Sequence, residues 1–402
     1  MVSRIVYLVA WPVDEWDAER YGFETLRSSG LAVEVLDMSR LFHATEIQAH
    51  PVPDALHANW IHVVANFAEL GSRIAALQGD SLFVDYFNGL SPPGWQSLKV
   101  LRLLHRCKAR YFVVSAGALP TPPRRSGWAR LRSLVRKVLN PRSLAAAAAR
   151  RVVALYGRAA GLYGPPVAVF GGDSEVVQAY VKRHALDAGR VVPIHSLDHD
   201  TYLRYRRNTP QPPRSEPTCV FLDDGITRHP DLAIGRLPGW DETSYFAVLE
   251  RFFEAIESKW NLRVVVAVHP RVSYDDNPRA FGGREMVKGK TIDLVAHSAL
   301  VATHASTSVS FAVLFDKPLL FVRHPQLARA GIDLWLDTMA RALGCPVADL
   351  DRAGWAEALP DYRAWPRTLY KQYKYRYIAS PAAEQLTVWE AVARHARHKL
   401  AA

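Results

Sequence analysis

The feature that most constrains this 402-residue chain is a repeat in which an apolar run of strand length alternates with a segment of helix length. "RIVYLVAW" (4–11) is followed by a helical "AERYGFETLRSSG" (18–30) closing on Gly30, and then by "LAVEVLDM" (31–38). "SLFVDYF" (81–87) leads to a helical "WQSLKVLRLLHRC" (95–107) and on to "RYFVVSA" (110–116). "PVAVFGG" (166–172) precedes a helix opening at Asp173 or Ser174, and "RVVPIHS" (190–196) closes the half. Strands that are apolar almost throughout are buried on both faces. Strands of that kind separated by helices predict a parallel sheet with helices on each side.

The pattern stops at "RNTPQPPRSEP" (207–217), which holds four prolines and no apolar residue, and reads as an interdomain linker. It then restarts. "TCVFL" (218–222), a helix over 243–260, "RVVVAV" (263–268), a short helix over 291–298, "ALVATH" (299–304), "STSVSFAVLF" (306–315) and "PLLFVR" (318–323) follow in order. The tail stretches 361–380 and 383–400 read as two helices, one of which is expected to pack back across the junction. The length suits two domains of about 150–200 residues. We therefore expect an N-terminal Rossmann-like domain over 1–206, the linker 207–217, and a second Rossmann-like domain over 218–402. The two doubly wound domains would face a cleft, with ligands beyond the carboxyl ends of the strands.

Charge is uneven. Residues 86–172 contain fifteen Lys and Arg and no Asp or Glu, so the net +11 of the chain arises in this segment. Within a basic helical insertion at about 124–163, residues 124–151 place Trp128, Leu131, Leu134, Val135, Val138 and Leu139 at helical spacing, with Arg130, Arg132, Arg136 and Lys137 between them. A basic amphipathic helix with a tryptophan suits an anionic membrane surface. The alternative is a solvated helix packed on its own domain. Nucleic acid ranks below both, since stacking aromatics and a recognised motif are missing. No apolar run reaches the roughly 18–20 residues that span a bilayer. The N-terminal apolar run is short for a signal peptide. Three scattered cysteines (Cys107, Cys219, Cys345) fit a reducing cytoplasm and no metal-ligand spacing.

Four loops of the second half carry polar residues directly after an apolar strand. "DDGITRHPD" (223–231) offers Asp223, Asp224 and His229. A carboxylate there can act as a general base or orient a histidine, though Asp-Gly alone is also a turn signal. "HPR" places His269 and Arg271 around Pro270, two donors suited to a phosphate. "HASTS" places His304, Ser306, Thr307 and Ser308 where a helix should begin, a phosphate site or an ordinary cap. "RHPQ" (323–326) repeats the His-Pro. Arg284, Lys288 and Lys290 lie in a loop that would either cover a nucleotide or be solvated. "DHD" (198–200) matches a short metal-binding signature that arises often by chance, and the Gly-Gly pairs lack dinucleotide-binding spacing.

The order Asp-Asp-Gly, His-Pro at a strand end and a Ser/Thr pair opening a helix resembles bacterial sialyltransferases, polysialyltransferases and Kdo transferases. These are glycosyltransferases of the GT-B fold that use CMP-activated sugars. The resemblance, over about a hundred residues, implies Asp223 or Asp224 as base, with His269 and Ser306, Thr307 and Ser308 holding the donor phosphate. In that family the acidic motif belongs to the first domain, so Asp14, Glu15 or Asp17 in the loop after the first strand stands as the alternative base. The expected activity is transfer from a nucleotide sugar, CMP-sugar favoured, to a glycan or lipid-linked acceptor of bacterial envelope polysaccharide, at the cytoplasmic membrane face. The resemblance implies neither metal nor further cofactor. A glycerophosphotransferase, a sugar-nucleotide 2-epimerase, or a non-catalytic assembly protein of the pathway are the alternatives.

Overall fold

The structure, a computed structural model, describes residues 2–49, 55–121, 141–209, 217–228 and 241–398. It contains two α/β units, each built on one parallel sheet. The first unit takes in Met1–Ala118, Arg124–Leu197 and Ser380–Ala402; the second takes in Leu119–Pro123 and Asp198–Ala379.

In the first unit the strands are β1 (Arg4–Val9), β2 (Ala32–Asp37), β3 (Ile61–Val63), β4 (Ser81–Tyr86), β5 (Tyr111–Ser115), β6 (Ala168–Gly171) and β7 (Val191–Pro193). Their order is β3-β2-β1-β4-β5-β6-β7, every pairing parallel. Residues of β1 alternate between faces. Ile5, Tyr7 and Val9 join Phe23, Leu26, Trp389 and Val392 on one side, while Val6 and Leu8 join Leu70, Ile74, Leu101 and Leu104 on the other.

The second unit contains β8 (Thr218–Leu222), β9 (Arg263–Val268), β10 (Glu285–Lys288), β11 (Leu300–Thr303), β12 (Leu319–Arg323) and β13 (Val347–Asp349), in the order β10-β9-β8-β11-β12-β13. The long helix Glu242–Trp260 covers one face. Asp241 caps its start, and Tyr245, Leu249, Phe252, Phe253 and Ile256 point inward. Burying each of these phenylalanines contributes roughly 1.5–3 kcal/mol.

Three expectations need correction. The unit boundary falls at Leu197/Asp198, ahead of the proline-rich stretch. Helix Leu197–Asn208 belongs with the second unit because Tyr202 and Tyr205 set their rings edge-on against Phe315, at 5.1 and 5.5 Å. The segment 18–30 is two helices, Glu15–Arg20 and Phe23–Ser28, parted at Gly22. There φ is +62°, and a Cβ would lie 2.2 Å from Trp389 Cδ1. The segment 361–380 is not one helix: Pro366 separates a turn at Tyr362–Ala364 from Tyr370–Tyr373 and a wider turn over Lys374–Ile378. The last helix, Val388–His398, lies in the first unit, where the Trp389 indole N–H donates to the Arg20 carbonyl at 2.7 Å.

Candidate functional site

In the second sheet the chain leaves β8 for β9 on one side and returns through β11 on the other. That reversal makes the carboxyl ends of β8 and β11 the place where loops part and a crevice opens. The two residues that follow β8 are Asp223 and Asp224.

The two carboxylates turn to opposite sides. Asp223 is buried, its Oδ1 accepting from Gly225 N at 2.9 Å and its Oδ2 from the Tyr274 hydroxyl at 3.1 Å and His269 N at 3.4 Å. It ties the β8 loop to the β9 loop. Asp224 reaches the other way, and its Oδ2 accepts from Ala305 N at 2.8 Å in the loop after β11. Burial pushes the Asp223 pKa up to about 6 against the pull of those donors. The Asp224 residue as a whole is half-buried. Desolvation of its carboxyl still raises its pKa to about 7, with the Asp223 charge adding to the rise and Ala305 N and the Ser306 hydroxyl opposing it.

The sequence folds this way locally because of Gly225. Its φ is +62°, and a Cβ would meet Val272 Cγ2 at 2.5 Å, so only glycine lets the two loops close on each other. Arg228 then locks the loop. Its guanidinium grips Glu242 at 2.8 and 3.1 Å, donates to the Ser273 carbonyl at 3.1 Å, pairs with Asp276, and lies 5.0 Å above the Tyr274 ring.

Of the predicted site residues, Asp223, Asp224, His269, Arg271 and Ser306, Thr307 and Ser308 all lie on loops at this one end of the sheet. His269 is half-buried, and its Nδ1 accepts from Arg271 N at 3.2 Å; the Arg271 residue is exposed. Thr307 is exposed, with Ser306 and Ser308 half-buried beside it. Ser308 N donates to the Ser306 hydroxyl at 3.3 Å, and Ser306 N to Thr303 Oγ1 at 3.3 Å. The helix that follows is short, Val309–Leu314. His229 lies outside the described residues, as do residues 122–140 of the basic segment.

His304 does not stand as a substrate ligand. It is fully buried, its Nδ1 is 2.5 Å from the Val322 carbonyl, and its Nε2 is 3.0 Å from the Tyr245 hydroxyl. A carbonyl only accepts, so Nδ1 carries the proton and Nε2 accepts from Tyr245. Burial holds the ring pKa down to about 4, and the neutral imidazole cross-links β11 and β12 from within. The second His-Pro behaves alike: His324 is buried, with its pKa held down to about 3 by burial first and His304 second. Arg284 and Lys288 are also spent internally, on Glu257 at 2.8 Å and on the Val272 carbonyl at 3.0 Å. His199 and Asp200 of "DHD" are buried on helix Leu197–Asn208. Among the described residues no three His, Cys, Asp or Glu side chains gather as metal ligands.

In the first unit the alternative base residues are accounted for differently. Asp14 caps helix Glu15–Arg20, accepting from Asp17 N at 2.7 Å; Asp17 is buried and Glu15 exposed. Sequence reasoning missed two groups. Tyr274 drew no assignment from the sequence, yet its hydroxyl holds Asp223. Asp85 sits inside the apolar run of β4, where its carboxylate accepts from three backbone N–H groups, of Asn88 at 2.8 Å, Gly89 at 3.2 Å and Phe87 at 3.3 Å. Burial raises its pKa to about 6. A carboxylate within a strand otherwise apolar was the available signal.

No described protein family matches the chain, and no curated protein sequence does. Solved structures do. The calicheamicin glycosyltransferase CalG4 is 13% identical, with 100% of this chain and 98% of that one covered, at a TM-score of 0.51. MnaA of S. aureus, solved with UDP, is 11% identical over 100% and 97% of the two chains at 0.48. The UDP-GlcNAc 2-epimerase of Methanocaldococcus jannaschii, in complex with UDP-GlcNAc and UDP, is 10% identical over 100% of both at 0.46. The likeness to CalG4 establishes the fold: two Rossmann-like parallel sheets of the GT-B kind.

Proposed function

We propose that the chain is a glycosyltransferase acting on a nucleotide sugar, with its donor at the carboxyl end of the second sheet. One observation carries this reading. Asp224 stands at the switch point of that sheet, half-buried, its carboxyl accepting from the hydroxyl-rich loop 305–308 and its pKa raised by burial to about 7. A general base works best when its pKa lies near the working pH.

In this mechanism Asp224 takes the proton of an acceptor hydroxyl. The acceptor oxygen attacks the anomeric carbon, the bond from that carbon to the phosphate oxygen breaks, and its electron pair leaves on the phosphate. His269, Arg271 and the hydroxyls of Ser306, Thr307 and Ser308 stabilise that departing charge. Asp223 positions rather than reacts, since its lone pairs are already engaged by Gly225, His269 and Tyr274. No cofactor beyond the donor substrate enters this scheme. A CMP-sugar donor and a glycan or lipid-linked acceptor of envelope polysaccharide, met at the cytoplasmic membrane face, rest on the order Asp-Asp-Gly, His-Pro, Ser-Thr. Membrane contact through residues 124–151 rests on their charge and helical spacing. Among the described residues no helix is long and apolar enough to cross a membrane.

A thermal-shift series with CMP, UDP, GDP and CDP tests the donor, because a ligand selective for the native state raises its midpoint. The expected result is a shift with one nucleotide that Ser306→Ala and His269→Ala reduce. Asp224→Asn should retain that shift while lowering turnover by about two to four orders of magnitude. If Asp224→Asn turns over normally and Glu15→Gln does not, the base belongs to the first unit. Acceptor-free interconversion of the sugar nucleotide would instead identify an epimerase.

A further inference from the structure

Helix Pro141–Ala159 differs from the other long helices of the first unit. It packs on helix Trp95–Arg106, and none of its described side chains joins either of the buried clusters that flank the first sheet. Its inner contact is tight. A Cβ on Gly157 would lie 2.6 Å from Leu98 Cδ1 and 2.9 Å from Tyr163 Cε1, so glycine at this point lets the two helices close together.

Among its described side chains, three large apolar ones are exposed. Val152, Leu155 and Tyr156 are 64%, 70% and 59% exposed, at the spacing of one helix face, turned away from Gly157. Exposed Arg158 borders them, and Arg150 is exposed on the same helix. On the neighbouring helix the outward row is Trp95, 59% exposed, then Lys99, Arg102 and Arg106. Large side chains on a monomer's surface are ordinary when single. Here four of the eight large hydrophobic residues exposed among the described residues fall on two helices in contact. Those helices lie in the stretch 86–172, which has fifteen basic and no acidic residue.

We propose that the outer face of this helix pair docks on an anionic lipid bilayer. Aliphatic and aromatic side chains would enter the acyl boundary, while Lys and Arg meet the headgroup phosphates. Charge argues for this occupant over a second copy of the chain, which would bring two predominantly basic helix pairs together. It argues against an acidic protein groove less strongly than the chemistry does: an aliphatic–aromatic row with a basic surround fits a continuous apolar layer under anionic headgroups. The inference concerns residues 95–106 and 150–159 and is independent of the donor-site reading.

The test is flotation of the full chain with vesicles of phosphatidylcholine, alone or with roughly a third phosphatidylglycerol. Wild type should float with the anionic vesicles and not with the neutral ones, less so at high salt. Leu155→Asp with Tyr156→Asp should weaken binding about tenfold or more, and Lys99→Glu with Arg102→Glu should weaken it comparably. Both pairs are exposed, so the circular-dichroism melt should match wild type, and Leu155→Ser provides a milder second variant. The proposal is overturned if wild type ignores anionic vesicles, or if the Leu155/Tyr156 variant binds them as wild type does. It is also overturned if wild type is a dimer by light scattering that this variant dissociates. Binding to single-stranded DNA that responds to the charge reversals, alongside vesicle binding indifferent to Leu155 and Tyr156, would show a polyanion site and overturn it too.

Discussion

Asp223 and Asp224 are neighbours in sequence with separate duties. One is spent on Tyr274 and the β9 loop, and the other is half-buried against the β11 loop. Both have raised pKa values, about 6 and about 7, and this fixes the sign of their effect on stability. Unfolded, each carboxyl loses its proton near pH 4; folded, each holds it until about pH 6 or 7. The native state therefore binds more protons across this window, and stability falls as pH rises through it. His304 and His324 oppose the trend below pH 6.5. Their pKa values of about 4 and 3 make the unfolded state the better proton binder there. The contribution of Asp224 is isolated by comparing melting midpoints of wild type and Asp224→Asn. The variant should melt a few degrees higher at pH 8, with the gap closing toward pH 5. A gap that stays constant or widens on acidification would refute the raised pKa.

At the scale of elements, the loop after β8 depends on Gly225 more than on its carboxylates. Gly225→Ala combines a left-handed φ with a contact inside van der Waals distance of Val272. It should lower stability by about 1–3 kcal/mol in urea titrations and weaken nucleotide binding more than Gly94→Ala, where nothing lies within reach of a Cβ. The central strands were legible in the sequence because both faces of each are buried, so "RIVYLV" and "RVVVAV" are apolar after their first residue. The edge strands β3 and β10 were not. "IHV" and "EMVK" are short, half-exposed and mixed in polarity, and only their neighbours make them strands. The same distinction separates the site residues. The positions of Asp224, His269 and the 306–308 hydroxyls could be read from strand ends. That His304 is spent within the core could not, because its partners Tyr245 and Val322 are distant in the chain and meet it only in the folded unit.

At the scale of the whole molecule, the chain begins in the first unit, builds the second, and returns to the first for helix Val388–His398. That helix supplies Val388, Trp389, Val392 and Ala396 to one buried face of the first sheet. Truncation after Ala379 should uncover Tyr7, Phe23 and Leu26. In calorimetry the transition of the first unit should then be lost or fall by ten degrees or so, while that of the second persists, since its core takes nothing from the removed residues. Equal damage to both transitions would contradict this division. The topology also sets an order of events during synthesis. The second unit is, in connectivity, a guest inserted into the first. Once Ala379 has left the ribosome the guest has all its residues, while its host still waits for the final helix. The unit begun earlier in the chain is thus completed after the one inserted into it, and until helix Val388–His398 arrives its sheet face around Tyr7 stays open.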